Sequence, residues 1–500
     1  YLDDFKEIGG IALSEPLRAG QSVKINFSFK VDIPEMFSRM GHDENHYCIT
    51  QWFPKVAKYD TKGWHRMPYL DLGEYYDDFG SYDVFITTPK HYAVGATGNL
   101  LTETENEWLK QRAIDSEKAL ATGDFSFIES TSDSTKTLHF KEDNIHDFAW
   151  FANPKYLVKR DAIVLGESEK ECWTFFEEKD KASWAKSTDF LAQSLAFYSE
   201  TVGQYPYKTV TAVAGPLNAG GGMEYPTITV ISSGIGDVKR VILHEVGHNW
   251  FQGMLGTNER RFPYLDEGFN SYYENRYYRE NEPSTGSDLF AENLQVRILE
   301  HMRVRQKDQA CNLHSDDYDQ LNYGLSIYSK SAENLLFLEE YLGKDVMDSC
   351  MHTLFREWQY KHPNHKDFQV VYEKVSGKDL DWFFNEMMGS YHTYGYGIKK
   401  AKNNNGSAEI TIKKEGEYAA PFLLSIVDEG ENGLTTTWVE STDSEISINH
   451  PNNINKVSIN HNLPRLESNM SNNYWQEKGK GFKLPFLKIE PSKSYRGTTL

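Results

Sequence analysis

No stretch of this 500-residue chain stays apolar long enough to cross a bilayer, and no CxxC pair occurs in it. The first lack excludes a helical span within these residues; the second excludes a zinc ribbon or a thioredoxin-like redox motif. Cysteine is scarce altogether. Cys48, Cys172, Cys311 and Cys350 stand far apart, and two long-range disulfides or four thiols are both open. Positive charge is also short. Fifty-three Lys and Arg face 73 Asp and Glu, a net charge of -20, which argues against nucleic acid and anionic membrane surfaces as partners. The opening residues YLDDFKEIGG carry no basic end or apolar centre of an export signal, and the chain is expected to begin inside a domain. There is no internal repeat.

What remains is an ordinary globular balance, 39% hydrophobic and 25% charged, with aromatics high at 14%. Its length suggests several domains. Residues 1–179 read as antiparallel β, a saddle or sandwich. VKINFSFKVDI alternates, and YCITQWFPKV, YDVFITTP, YAVGATGNLL, TKTLHFKE and DFAWFANP follow between Gly, Asp and Pro. Over 180–396 the period becomes helical. DKASWAKSTDFLAQSLAFYSETVG puts Trp184, Phe190, Leu191, Leu195 and Tyr198 on one stripe. Two strands, KTVTAVAGP and PTITVISS, precede the helices, and GSDLFAENLQVRILEHMRVR and SIYSKSAENLLFLEEYLG are among those that follow. Residues 397–500 return to short alternating strands, a small β-sandwich. The whole is an α+β multidomain chain.

The chemistry concentrates between Val238 and Glu274. His244-Glu245-Val246-Gly247-His248 places two imidazoles one helical turn apart, about 6 Å between β-carbons. Val241, Ile242 and Leu243 before them, and Trp250 and Phe251 after, mark a buried helix. Buried polar side chains need a partner, so a solvent-facing helix with incidental histidines is the weaker reading. Two imidazoles at this spacing can share a divalent ion, with Glu245 placed to activate the attacking water. Glu267, after a gap of eighteen residues, opens the aromatic-rich FNSYYENRYY and is the candidate third ligand. Two His and one carboxylate leave a position open on zinc, as catalytic sites require. Magnesium and calcium want more oxygens. An iron triad uses the same ligands, but Glu245 beside the first His is what a hydrolase needs. Phe251 and Met254 stand where the metzincin pattern wants Gly and His.

Two neighbours carry weaker signals. Glu274 lies two turns past Glu267 on one face; it either orients a ligand histidine or is a solvated surface carboxylate. Gly220-Gly221-Gly222-Met223-Glu224 ends a strand, where glycines permit close backbone approach. Glu224 is then a candidate for a cationic group such as a free α-amine, against the alternative of a plain turn with a surface Glu.

HEVGHNWF, the eighteen-residue gap, DEGFNSYYE and GGGMEY together resemble the gluzincin aminopeptidases, the family of aminopeptidase N and leukotriene-A hydrolase. LSEPLRAGQSVKINFSF, DFAWFANP and IYSKSAENLLFLEEYLG are similar to further family segments. The resemblance implies a thermolysin-like catalytic domain between two β domains, in a short form without the large helical C-terminal domain. It implies one zinc ion per chain on His244, His248 and Glu267, with Glu245 as general base. Tyr328 would stabilise the oxyanion, a role the sequence by itself does not assign to any of 30 tyrosines. Glu224 would hold a peptide's N-terminus, and Gly221, Gly222 and Met223 would line its backbone. The implied activity is removal of N-terminal residues from peptides. An endopeptidase, an epoxide hydrolase and an inactive binding or scaffold member are the alternatives. Three departures stand out. Tyr225 follows Glu224 where the family has Asn, Ser331 replaces Gly after Lys330, and Phe53 holds the place of a second amine anchor, leaving Gln51 as a substitute. The acidity fits an exported enzyme, with the cytoplasm left open.

Overall fold

The computed structural model describes residues 7–477 apart from 71, 129–130, 219, 283–296, 431–432, 465 and 468. The chain divides into two compact units, Tyr1–Asn258 with Gln359–His362, and Glu259–Trp358 with Pro363–Leu500. The division runs through the stretch 180–396, between the two helices of the histidine–glutamate motif.

In the first unit a four-stranded antiparallel sheet is built from Gly41–Asp43, His46–Ile49, Trp150–Asn153 and Ala93–Ala96, in that order. Beside it in sequence, Gly80–Pro89 and Thr135–Ile145 pair over nearly their whole length. The sheet nearest the chemistry has five strands. The hairpin Leu157–Leu165 and Ser168–Phe176 turns at Gly166 (φ 60°). Its second strand runs parallel to Thr209–Gly215, which runs parallel to Ile228–Ser232, and Gly222–Tyr225 closes the edge antiparallel. The expected boundary at 179/180 therefore falls inside one sheet. Ala93, Phe151, Tyr156, Phe175, Val213 and Val230 form a common core for these strands.

Two expectations for the first 179 residues are corrected. VKINFSFKVDI forms no strand: residues 22–34 pair with no neighbouring strand among the described residues, and Val23, Ile25, Phe27, Phe29 and Val31 are all exposed. Alternation suits a residue run to a sheet but does not supply a neighbour to pair with. The second correction is a helix of 20 residues, Glu103–Thr122, in a region read as β. Its buried face is Glu105, Leu109, Arg112, Ser116 and Ala119, mostly polar or small. Hydrogen bonds seat it in place of an apolar stripe. Arg112 donates to the carbonyls of Tyr156 (2.8 Å) and Pro154 (2.6 Å), and Ser116 Oγ accepts from Val158 N (3.0 Å).

The second unit is helical first and β afterwards. Glu267–Asn281, Ser331–Leu342, Lys344–Trp358 and His365–Ser376 are α-helices, while Tyr323–Lys330 and Trp382–Met388 are π-helical. Residues 297–304 continue the expected helix GSDLFAENLQVRILEHMRVR, whose earlier part lies outside the described residues. The C-terminal strands form two antiparallel sheets. One orders Tyr396–Asn404, Ser407–Lys414 and Glu445–His450; the other orders Leu434–Val439, Phe422–Asp428, Ile454–Ile459 and Tyr474–Gln476. The β–helical–β progression read from the sequence is thus the observed one. Among the described residues no helix is long and apolar enough to cross a membrane. The four cysteines are free and buried, and burial pushes each thiol above its ordinary pKa.

Candidate active site

The histidine helix, Val238–Phe251, starts at Asp237, whose carboxylate accepts from Arg240 N at 3.0 Å. Its apolar side is nailed down by Trp250, fully buried, stacked on Tyr198 (5.3 Å between ring centres) and donating to Gly203 O at 2.6 Å. Asn249 reaches the turn between the strands Gly222–Tyr225 and Ile228–Ser232 by accepting from Thr227 N at 3.0 Å. These contacts fix the roll of the helix and so turn the opposite residues inward. His248 is 1% exposed and Glu245 5%, while His244 is half-buried.

The two imidazoles converge. His244 Nε2 and His248 Nε2 stand 3.2 Å apart with the rings nearly perpendicular. Two nitrogens bound to one tetrahedral zinc at ~2.0–2.1 Å would be about 3.4 Å apart. The observed pair therefore has the separation that one ion requires of two of its ligands. The alternative is an N–H of one ring donating to the other.

The edge strand Gly222–Tyr225 supplies the next component. A β-carbon at Gly222 would lie 2.6 Å from Glu245 Oε1 and 2.7 Å from its Cδ and Cγ. Only glycine lets the strand pass this close to that carboxylate. Gly220 and Gly221 take φ of 76° and 64°, the left-handed region glycine enters freely. Glu224 is half-buried on the strand, with no plain turn around it. Glu224, Glu245 and His248 each bring a ligand-type atom within 4.8 Å of the others. Met223 packs instead on the core behind the strand, as does Tyr225, which is 5% exposed. The phenol at 225 is thus a core residue.

In the second unit, a short turn Pro263–Leu265 leads into the glutamate helix Glu267–Asn281. Glu267 is 8% exposed and accepts from Tyr328 OH at 2.6 Å, the length of a charge-assisted bond. Burial, and then the Glu267 carboxylate, raise the Tyr328 pKa well above its ordinary value, so the phenol keeps its proton. Tyr328 sits on the π-helix Tyr323–Lys330, an uncommon form that gathers at functional sites. Gly268 explains how the two elements come together: a β-carbon there would lie 2.6 Å from Ser331 Cβ and 2.9 Å from Ile327 O. Ser331, the departure from Gly, is fully buried and donates to Ser326 O at 2.9 Å, so its hydroxyl is satisfied. Glu274 is 6% exposed, which removes the solvated-surface reading. Below it, fully buried Arg276 makes a two-pronged bond to Asp348, Nη1 to Oδ1 at 2.5 Å and Nη2 to Oδ2 at 2.8 Å.

Phe53 packs edge-on against Trp52 (5.1 Å) and Tyr82 (5.8 Å). It is part of an aromatic cluster in the first unit and offers no acceptor for an amine. Gln51 is held at φ 50°, a strained value for a residue with a side chain.

Residues 187–387 match the model of the peptidase family M1 domain. The chain is 20% identical over 418 residues to the glutamyl aminopeptidase of Rattus norvegicus, covering 77% of this chain and 39% of that protein. Among solved structures it resembles the Legionella pneumophila aminopeptidase A in complex with aspartic acid (TM-score 0.61, 15% identity, 85% of this chain and 47% of that one). It also resembles an M1 zinc metallopeptidase from Deinococcus radiodurans (TM-score 0.50, 14% identity, 63% and 65%). At these identities the structural likeness is one of fold. The chain spans well under half the length of curated relatives such as the rat protein.

Proposed function

We propose that this chain, whose residues 187–387 match the peptidase family M1 domain, is a zinc aminopeptidase that hydrolyses the N-terminal bond of peptides. The observation that carries the reading is the 3.2 Å convergence of His244 and His248 Nε2, with Glu245 against the edge strand beside them. In this reading His244, His248 and Glu267, two imidazoles and a carboxylate of the kind that hold a metal ion, bind one zinc. When bound, zinc polarises a carbonyl and makes water more acidic near neutral pH.

The protein groups do the rest. Glu245 takes the proton of the attacking water and returns it to the departing amine. Tyr328 donates to the carbonyl oxygen as negative charge develops there, giving up its bond to Glu267. Glu224, on the strand beside Glu245, receives the substrate's N-terminal ammonium, and the outer backbone edge of Gly221–Met223, at the end of its sheet, receives the peptide. With Phe53 in the aromatic cluster, Glu224 carries the amine contact without help from that position. The domain division that goes with this reading is 1–179, 180–396 and 397–500, and the preferred cellular setting is outside the cytoplasm.

The test is metal analysis combined with hydrolysis of a panel of aminoacyl arylamides, with and without chelator. About one zinc per chain is expected, with activity lost on chelation, restored by zinc and abolished in Glu245→Gln. An N-acetylated peptide should stay intact. Its cleavage at a comparable rate would replace the exopeptidase reading with an endopeptidase one.

A further inference from the structure

A cavity of about 320 Å3 lies wholly in the second unit, among the helices and the strands that follow them. That volume is at the lower end of the range for small-molecule sites, roughly 300–1,000 Å3. Its floor is cationic and buried. Lys330 Nζ donates to Asp308 Oδ2 at 2.7 Å and to Gln309 O at 2.8 Å, and its side chain is 11% exposed. An ammonium has three donors, and these bonds engage two. Arg303 Nε stands 4.0 Å from the same Asp308 oxygen, so two cations bracket one carboxylate. The rim is open and carries charge of both signs, with His392, which bonds Glu386 Oε2 at 2.7 Å, beside Glu417. Exposed Glu417 is held there by Thr393, whose N and Oγ1 donate to its Oε2 at 2.8 and 3.2 Å. Met387, Tyr418 and Leu466 supply an apolar and aromatic part of the lining. Gln306, which also lines the cavity, is held at φ 53°; strain of this kind collects at ligand sites.

We propose that this cavity binds a free α-amino acid with an apolar side chain. Its carboxylate meets Lys330 and Arg303, the ammonium on the adjoining carbon meets Glu417, and its side chain branches away against Met387, Tyr418 and Leu466. A ligand with only one charge satisfies one end and leaves the other to water. A peptide extended at its amine meets the rim with an uncharged amide. The site stands on its own geometry and does not depend on the chemistry proposed at Glu245, although a free amino acid is also what that chemistry would release.

The test is calorimetric titration of the full chain with L-leucine, made in a Glu224→Gln background so that the proposed amine subsite of the active site does not contribute. One leucine per chain is expected, with affinity reduced about tenfold or more by adding Lys330→Met or Glu417→Gln. 4-Methylpentanoate and isopentylamine, which each carry one of the two charges, should bind about tenfold more weakly or worse. No binding of millimolar leucine in the Glu224→Gln chain would overturn the proposal. So would an affinity unchanged by Glu417→Gln, an exposed rim position whose exchange does not threaten folding.

Discussion

The backbone at Gly222 runs so close to Glu245 that an added β-carbon would stand 2.6 Å from the carboxylate oxygen. The edge strand thus limits where that carboxylate can sit, and glycine is the residue that permits the arrangement. Gly222→Ala should displace Glu245 without touching the two histidines. A displaced general base costs about a hundredfold when the shift approaches 1 Å. We expect kcat on an aminoacyl arylamide to fall between about tenfold and a hundredfold, with zinc content unchanged. Activity within about twofold of the parent would show that this contact does not set the position of the base.

Tyr328 donates to Glu267 at 2.6 Å in the resting molecule. In the proposed reaction the same hydroxyl turns to the substrate oxygen, where its worth is greatest in the transition state. Tyr328→Phe removes the donor and keeps the ring. The expected loss is about 10²–10³ in kcat, with KM changed by less than about threefold and zinc retained. A rise in KM with kcat preserved would assign Tyr328 to ground-state binding instead.

The legible part of this protein is the part whose chemistry has a fixed spacing. His244, Glu245 and His248 are tied to one turn of helix, and the gap to Glu267 is a matter of counting, so the motif could be read without coordinates. The C-terminal strands were legible because apolar alternation, as in SAEITIKK, matches their half-buried faces. The helix Glu103–Thr122 was not, because Glu105, Arg112 and Ser116 face inward and break the apolar stripe. A signal was nevertheless present: Thr102 before the helix, Glu103 and Glu105 in its first turn, and Gly123 at φ 77° after it. Val23 to Val31 misled in the other direction, since alternation reports compatibility with a sheet and not the presence of a neighbour. Tyr328 is one aromatic among many until the π-helix and its bond to Glu267 are seen. Glu274 could not be told from a surface residue, because its burial depends on what surrounds the glutamate helix and not on its place along it.

The same helix carries a structural ion pair that can be tested apart from catalysis. Arg276 is fully buried and both its terminal nitrogens bond Asp348. Removing the carboxylate leaves a guanidinium in the core short of its main partner. Asp348→Ala should destabilise the protein by about 3–5 kcal/mol, read as a lower urea midpoint with an unchanged slope. Asp348→Asn, which keeps the shape and one acceptor, should cost less. A cost below about 1 kcal/mol for Asp348→Ala would mean that Glu280, which also accepts from Arg276 (Nε to Oε1, 3.0 Å), suffices alone.

Glu467 gives the stability of the C-terminal strands a pH dependence of definite sign. Its carboxyl is buried between strands, where it accepts from Tyr396 N (3.0 Å), Asn460 Nδ2 (2.9 Å) and Asn473 Nδ2 (2.7 Å). Burial dominates those donors and raises its pKa to about 7 from the ordinary 4.5. In the unfolded chain the group releases its proton as pH passes 4.5, while the folded chain holds it until about 7. Below 4.5 both states are protonated and the contribution is fully present. Across the window between these two values the unfolded state binds fewer protons, so stability falls as pH rises. Above about 7 the loss is complete and the curve is flat. At about 1.4 kcal/mol per unit the whole effect amounts to roughly 3 kcal/mol. Urea unfolding followed at several pH values should show this decline, and Glu467→Gln, neutral throughout, should flatten it. A parent and a Glu467→Gln protein with parallel pH profiles would mean that the three donors keep the carboxylate ionised in the fold.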